Sequence, residues 1–273
     1  MKQTYGLIGY PVKHSLSARM HNAAFKHLEI DAEYELFEIK PGELNDFFSS
    51  FKERLSGINI TIPHKEASIK YVDAVDKISD AIGAINTVVL ENDRLHGYNT
   101  DVIGFLKSLK EDLKFKPAGK RAVVFGAGGA ARAVTFALLF EEIEQIVLVD
   151  IDTKKAALLA DELQKDGCNA IAVEKDPMAI KELLLNSDLV VNATPCGMKK
   201  GDPELLDPNF LHDKLAVFDL IYNPLETRLI KEAKEKGCNA VNGLGMLLYQ
   251  GAAAFRLWTK KPAPIGIMKE ALE

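Results

Sequence analysis

Two titratable residues and one glycine-rich turn carry most of the chemistry legible in this sequence. Lys65, in Asn59-Ile-Thr61-Ile-Pro63-His64-Lys65, and Asp101, in Gly97-Tyr-Asn99-Thr-Asp101, each stand where a strand is expected to end and a helix to start. A lysine and a carboxylate so placed suit proton transfer to or from an oxygen. With Pro63 at the first helical position, Lys65 would sit in the first turn, where the helix dipole disfavours its positive charge. The plainer readings are a solvated lysine and, for Asp101, an N-cap on a helix at 102–110, which is the stronger reading of that residue taken alone. If the two side chains touch, the proton belongs to the pair and either residue could give it.

The turn is Arg121-Ala-Val-Val-Phe125 running into Gly126-Ala127-Gly128-Gly129-Ala130-Ala131. The apolar run reads as a buried parallel strand and the Ala-rich continuation as a helix packed on it. Gly126 permits the tight turn, Gly128 lets backbone approach a pyrophosphate, and Ala131 allows close helix-to-strand packing. The helix N-terminus offers free N–H groups to the anion. A second apolar run, Gln145-Ile-Val-Leu-Val-Asp150, ends in an acid roughly 20 residues beyond the turn, where a ribose diol requires one. The stretch therefore reads as a dinucleotide fingerprint.

The elements that must position these groups fall into two α/β segments. In the first, Tyr5–Ile8, Glu33–Ile39, Gly57–Thr61 and Asn86–Leu90 read as strands, with an amphipathic helix at 17–29 and another opening at Pro41. From Arg121 on, strands at 122–125, 146–150, 170–173, 188–192 and 216–219 alternate with helices. Gly167 and Gly237 recur in one wording, Gly-Cys-Asn-Ala, and each is expected at the left-handed C′ position of a helix entering a strand. After Gly243 an Ala-rich helix at 244–258 is expected to cross back to the first segment. The fold class is thus α/β, with a substrate domain of residues 1–101 plus 244–273 and a Rossmann-like, doubly wound dinucleotide domain at 102–243. The active site is expected in a cleft between them.

Composition bounds the function. Hydrophobic residues make up 47% and charged residues 27% of the 273, an ordinary globular balance. A net charge of -5 argues against nucleic acid, which needs a basic stripe. The N-terminus has no signal-like apolar core and no run is long enough to span a bilayer, so a cytoplasmic protein is expected. Cys168, Cys196 and Cys238 are odd in number and scattered, and the six histidines lack metal-pair spacing, so no metal is expected.

Taken in order, Ser15-x-Ser17, Thr61-Ile-Pro63-His-Lys65, Gly83-Ala-Ile-Asn86-Thr87, Gly97-Tyr-Asn99-Thr-Asp101, Gly126-Ala-Gly128-Gly129-Ala130, Asn192-Ala-Thr194-Pro and Tyr249-Gln250-Gly251 resemble the shikimate dehydrogenase family over essentially the whole chain. The resemblance implies reversible reduction of 3-dehydroshikimate to shikimate, a step of aromatic amino acid biosynthesis, by a monomer or homodimer. It implies Lys65 and Asp101 as the catalytic pair. Ser15 and Ser17 would take the substrate carboxylate, and Thr61, Asn86, Tyr222 and Gln250 the substrate's polar groups. Gly126, Ala127, Gly128, Gly129 and Ala130 would cradle the pyrophosphate. Thr194 would line the nucleotide site, with Ile221 and Gly243 near the nicotinamide.

One departure bears on the cofactor. NADP-using members of the family typically carry Asn-Arg-Thr after the second strand, and here those positions read Asp150-Ile151-Asp152. An unpaired aspartate near a 2′-phosphate costs roughly 1 to 4 kcal/mol at 4 Å. NAD is therefore expected over NADP, although Lys154 and Lys155 could still rescue a phosphate. Quinate is the alternative substrate, and the retained Ser17 favours shikimate. A nucleotide-sensing protein without chemistry would be expected to have lost Lys65 or Asp101, and both are present.

Overall fold

The protein is described by a computed structural model covering residues 2–273. It divides into unit 1, residues 2–104 and 247–273, and unit 2, residues 105–246.

In unit 1 the chain runs β1 (Gln3–Gly9), α1 (Ser17–His27), β2 (Ala32–Glu38), two short helices α2 (Leu44–Ser49) and α3 (Phe51–Arg54), then β3 (Gly57–Ile60). After a series of turns come β4 (Ala74–Val75), α4 (Lys77–Ile82), β5 (Thr87–Glu91), β6 (Arg94–Tyr98) and the start of α5 (Asp101–Glu111). The strands form one mixed sheet in the order β2-β1-β3-β5-β6-β4, with β1 parallel to both neighbours and β5 antiparallel to both of its own. The helical stretch expected from Pro41 is broken at Ser50, so Phe47, Phe48 and Phe51 can all turn onto Ile8, Ile58, Ile60 and Val88 of the sheet. Aromatic and β-branched side chains bury large apolar area per residue on this face of the sheet.

Unit 2 carries β7 (Arg121–Phe125), α6 (Gly129–Phe140), β8 (Gln145–Val149), α7 (Thr153–Lys165), β9 (Ala170–Val173) and α8 (Pro177–Leu185). β10 (Leu189–Asn192), β11 (Ala216–Asp219), α9 (Arg228–Glu235) and β12 (Asn239–Val241) follow. All six strands are parallel, in the order β12-β11-β10-β7-β8-β9. Counted from β7 this is the doubly wound order, with the reversal between β7 and β10. The strands read as apolar runs because parallel strands are covered on both faces. Helix starts are written in the sequence: Asp152, Asp176 and Thr227 each accept a backbone N–H three residues on, from Lys155, Ala179 and Ile230. Gly167 and Gly237 have φ of 89° and 80°, the left-handed C′ geometry expected of them.

The chain returns to unit 1 through α10 (Leu244–Thr259), and α11 (Ile265–Glu270) ends it. In unit 1, Trp258 donates its indole N–H to the Val88 carbonyl (3.0 Å) and packs with Tyr5, Tyr34 and His21. Among the described residues no helix is long and apolar enough to cross a membrane.

Candidate active site

Lys65 lies in a run of turns after β3, and no α-helix begins at Pro63. No helix dipole of a Pro-started helix therefore acts on Lys65, contrary to expectation. Tertiary bonds set the local path instead: the Ile85 N–H donates to the Lys65 carbonyl (3.0 Å), and His64 Nε2 donates to the Ile39 carbonyl (2.6 Å). These anchors leave the Lys65 ammonium 2.5 Å from Asp101 Oδ2, with side chains only 11% and 6% exposed.

Asp101 is the first residue of α5, yet it does not cap the helix. Its second oxygen, Oδ1, accepts from Asn86 Nδ2 at 2.9 Å, so both oxygens are engaged by side chains brought from elsewhere in unit 1. Asp101 is thus a partner of Lys65 and Asn86, not the N-cap expected of it taken alone, and Thr100, whose carbonyl accepts the Gly104 N–H, stands ahead of the first turn.

Behind the pair lies a buried polar chain. Asn86 Oδ1 accepts from the Thr100 N–H (2.7 Å), the Thr100 hydroxyl (3.1 Å) and the Thr87 hydroxyl (2.9 Å), which fixes its amide with Nδ2 toward Asp101 and, at 3.4 Å, Gln250 Oε1. Asn59 Nδ2 donates to Thr87 Oγ1 (3.0 Å), and Asn59 Oδ1 accepts the Tyr34 hydroxyl (2.8 Å). A side-chain network with every partner satisfied is rigid in low dielectric. Asn59, Thr87 and Thr100 lie within the sequence motifs but carry no role that the sequence alone assigns. Their signal was there: Asn59 interrupts Gly57-Ile-Asn-Ile60, a strand buried at every position.

Ser15 and Ser17 sit at the start of α1, where Ser15 Oγ donates to Ser17 Oγ (3.1 Å) and accepts the Ser17 N–H (3.2 Å). Leu16 is the N-cap and makes no side-chain cap bond, so beyond the Ser17 N–H held by Ser15 neither hydroxyl is committed to an amide of the first helical turn. The loop carrying them is tied to Thr61: the Tyr10 N–H donates to the Ile62 carbonyl and the Thr61 N–H to the Ile8 carbonyl. Unit 1 thus gathers Ser15, Ser17, Thr61, Lys65, Asn86, Asp101 and Gln250. Tyr222 belongs to unit 2, half-buried after β11.

In unit 2 the fingerprint has the form the sequence implied. Gly126 has φ of 107°, and a Cβ there would meet the Ala193 carbonyl oxygen at 3.0 Å, so only glycine fits. Gly128 is the N-cap of α6, with open space where a Cβ would stand. The first-turn N–H groups of α6 have no intrahelical acceptor and suit a pyrophosphate. Asp150, just past β8, accepts the Ala127 N–H through Oδ2 (2.7 Å) and the Asp152 N–H through Oδ1 (2.8 Å). Each oxygen keeps a lone pair for a ribose hydroxyl. Ile151 follows, 92% exposed. Thr194 is held by Asn192, whose Oδ1 accepts its N–H (3.0 Å) and hydroxyl (2.7 Å). The Gly243 N–H donates to the Ile221 carbonyl (3.0 Å), and a Cβ on Gly243 would collide with the Leu220 carbonyl, a steric reason for glycine within the chain itself. The described residues contain no cluster of His, Cys, Asp or Glu able to hold a metal.

Known proteins resemble this chain in sequence and in fold. Residues 7–88 match the family model for the shikimate dehydrogenase substrate binding domain, and residues 243–273 that for the shikimate 5'-dehydrogenase C-terminal domain. A Methanopyrus kandleri protein named shikimate dehydrogenase (NADP(+)) is 45% identical over 98% of this chain and 93% of its own. The crystal structure of shikimate dehydrogenase from Aquifex aeolicus superposes with a TM-score of 0.91 at 40% identity, covering 100% of this chain and 98% of that one. A Listeria monocytogenes shikimate 5-dehydrogenase, solved with shikimate and NAD, gives a TM-score of 0.91 at 35% identity, covering 100% and 96%.

Proposed function

The chain belongs to the shikimate dehydrogenase family, and we propose that it interconverts 3-dehydroshikimate and shikimate with NAD as its preferred dinucleotide. It is an oxidoreductase of that family. The observation that carries the reading is the shielded contact of Lys65 Nζ with Asp101 Oδ2 at 2.5 Å, backed by Asn86. Unit 1 supplies hydroxyl and amide groups for the carboxylate and ring hydroxyls of such a substrate. A competitor lacking one hydroxyl would leave a buried polar group unpaired, which is how such a site discriminates.

The residues fit a nicotinamide dinucleotide: a glycine turn with room over Gly128, free amides at the start of α6, and a ribose-type carboxylate at Asp150. Such a cofactor would supply hydride chemistry at the substrate carbon. The chain's part is to hold the substrate oxygen beside Lys65 and Asp101, which take or return its proton as the oxygen changes between hydroxyl and carbonyl.

NAD is favoured over NADP by what stands where a 2′-phosphate would go. Asp150 is anchored by two backbone amides, and a carboxylate beside a phosphate is repelled by it. Ile151 offers no donor, and Asp152 is committed to capping α7. Arg132 in α6 is ion-paired with Glu162. The Methanopyrus relative is named for NADP(+), so this preference sets the chain apart from it.

Steady-state kcat/KM for shikimate and quinate, each with NAD and NADP, tests the proposal. The expected result is NAD ahead of NADP by about tenfold, about 1.4 kcal/mol, with shikimate the better substrate. NADP ahead would place the phosphate on Lys154 or Lys155 and remove the preference. Absence of turnover in all four would remove the activity.

A further inference from the structure

Unit 2 contains one fully buried carboxylate that the proton chemistry does not use. Asp219, the last residue of β11, is 0% exposed. Its Oδ1 accepts from Asn192 Nδ2 (3.0 Å) and the Ile221 N–H (3.1 Å), and its Oδ2 accepts the Thr227 hydroxyl (2.6 Å). Asn192 ends β10 and is its direct cross-strand partner.

Each donor leads to a different segment beyond the carboxyl ends of these strands. Asn192 holds Thr194 by two bonds and reaches the Cys196 carbonyl (3.1 Å), so it shapes the 192–196 turn. Ile221 begins the segment whose carbonyl accepts the Gly243 N–H. Thr227 caps α9 through the Ile230 N–H (3.2 Å). The 192–196 turn also abuts the fingerprint, since the Ala193 carbonyl lies over Gly126. It stands beside the β7–β10 reversal, where doubly wound sheets bind ligands.

We propose that Asp219 is a positioning residue for the dinucleotide, setting the placement of the Thr194 turn and the Ile221 segment against the fingerprint. The assignment rests on the reading of unit 2 given above. Burial pushes the Asp219 carboxyl up to about 6. A group so placed is poorly accounted for by stability alone, because desolvation opposes its charge. What it provides is three donors converging on one fixed point.

The test is a fluorescence titration of NADH into wild type, Asp219→Ala, Asp219→Asn and Thr227→Val, with KM for NAD and for shikimate measured alongside. In Asp219→Ala, the NADH Kd and the NAD KM should rise at least tenfold, while shikimate KM at saturating NAD stays within about twofold. Asp219→Asn should recover most of the affinity, because an amide can accept from Asn192 and Ile221 and donate to Thr227 Oγ1. Thr227→Val should show a smaller rise, about two- to fivefold.

If Asp219→Ala does not fold, the other two variants decide. A raised NADH Kd with unchanged shikimate KM in Thr227→Val supports the assignment, and wild-type Kd values in both variants overturn it. A folded Asp219→Ala with wild-type NADH affinity also overturns it, and leaves the reading of the fingerprint intact. Failure of the wild-type protein to bind NADH overturns both.

Discussion

Replacing Lys65 by alanine is expected to lower kcat for shikimate oxidation by about 10²- to 10⁴-fold, the range for a positioned general acid–base group, with the shikimate KM changed by no more than about threefold. The reason is geometric. The ammonium is held 2.5 Å from Asp101 Oδ2, and the carboxylate is held from its other side by Asn86. Removing the lysine takes away a group whose interaction changes as the substrate oxygen changes charge, and leaves the groups that bind the substrate in place. Such a loss appears in kcat. Because Lys65 and Asp101 act on one proton, the double variant Lys65→Ala, Asp101→Asn should lose little more than the worse single variant. Steady-state rates of the four proteins check this. Additive losses would mean that the two residues act independently, and an unchanged Lys65→Ala rate would remove the lysine from the chemistry.

The second large effect concerns acid. His21 of α1 is completely buried, its ring stacked 4.5 Å from Tyr34 and tilted against Trp258, and among the described residues neither ring nitrogen has a hydrogen-bond partner. Burial lowers its pKa from 6.5 to about 3. The unfolded chain therefore takes up a proton below pH 6.5 that the folded chain refuses until about pH 3. The stability that neutral His21 contributes is fully present above pH 6.5 and is lost as pH falls toward 3. At 1.36 kcal/mol per unit, this gives a slope of about 1.4 kcal/mol per pH unit and a total of roughly 3 to 5 kcal/mol.

Asp219 works in the opposite sense. Its pKa is raised from 3.8 to about 6, so its contribution is present below pH 3.8 and is lost as pH rises through 6. The two groups lie in different units, so as pH falls unit 1 loses the contribution of His21 while unit 2 regains that of Asp219. Urea denaturation followed by the fluorescence of Trp258, between pH 4 and 7.5, measures the slope. His21→Leu should flatten it by about 1 kcal/mol per unit whatever it does to stability at neutral pH. Equal slopes in the two proteins would show that His21 is not the acid-sensitive group.

Much of unit 2 was legible because its signals are local. A glycine turn between an apolar strand and an Ala-rich helix, aspartates three residues ahead of the amides they cap, and glycines at helix ends all act within a few residues of themselves. Unit 1 was harder where partners come from far along the chain. Pro63 was a sound start signal for a helix, but the contacts of His64 with Ile39 and of Lys65 with Ile85 outweighed it. Asp101 has the sequence of a cap, and it lost that role because Lys65 and Asn86 converge on it from the β3 and β5 ends. The two-residue strand β4 pairs only through tertiary placement and carries too little pattern to be seen alone. The latch at Asp219 was equally silent, since an acid at the end of an apolar strand looks like any loop entry until its three donors are in place.

The split of unit 1 has a consequence for the order of biosynthesis. Unit 2 is a continuous stretch ending at Met246, whereas unit 1 needs the last 27 residues, which bring Phe255, Trp258, Met268 and Leu272 into its interior. On a ribosome the second unit to be started is the first whose sequence is complete, while β1 to β6 wait with part of their apolar surface uncovered. Pulse proteolysis of stalled nascent chains should find a protease-resistant unit 2 before unit 1 resists, and the reverse order would show that β1 to β6 close without their C-terminal helices.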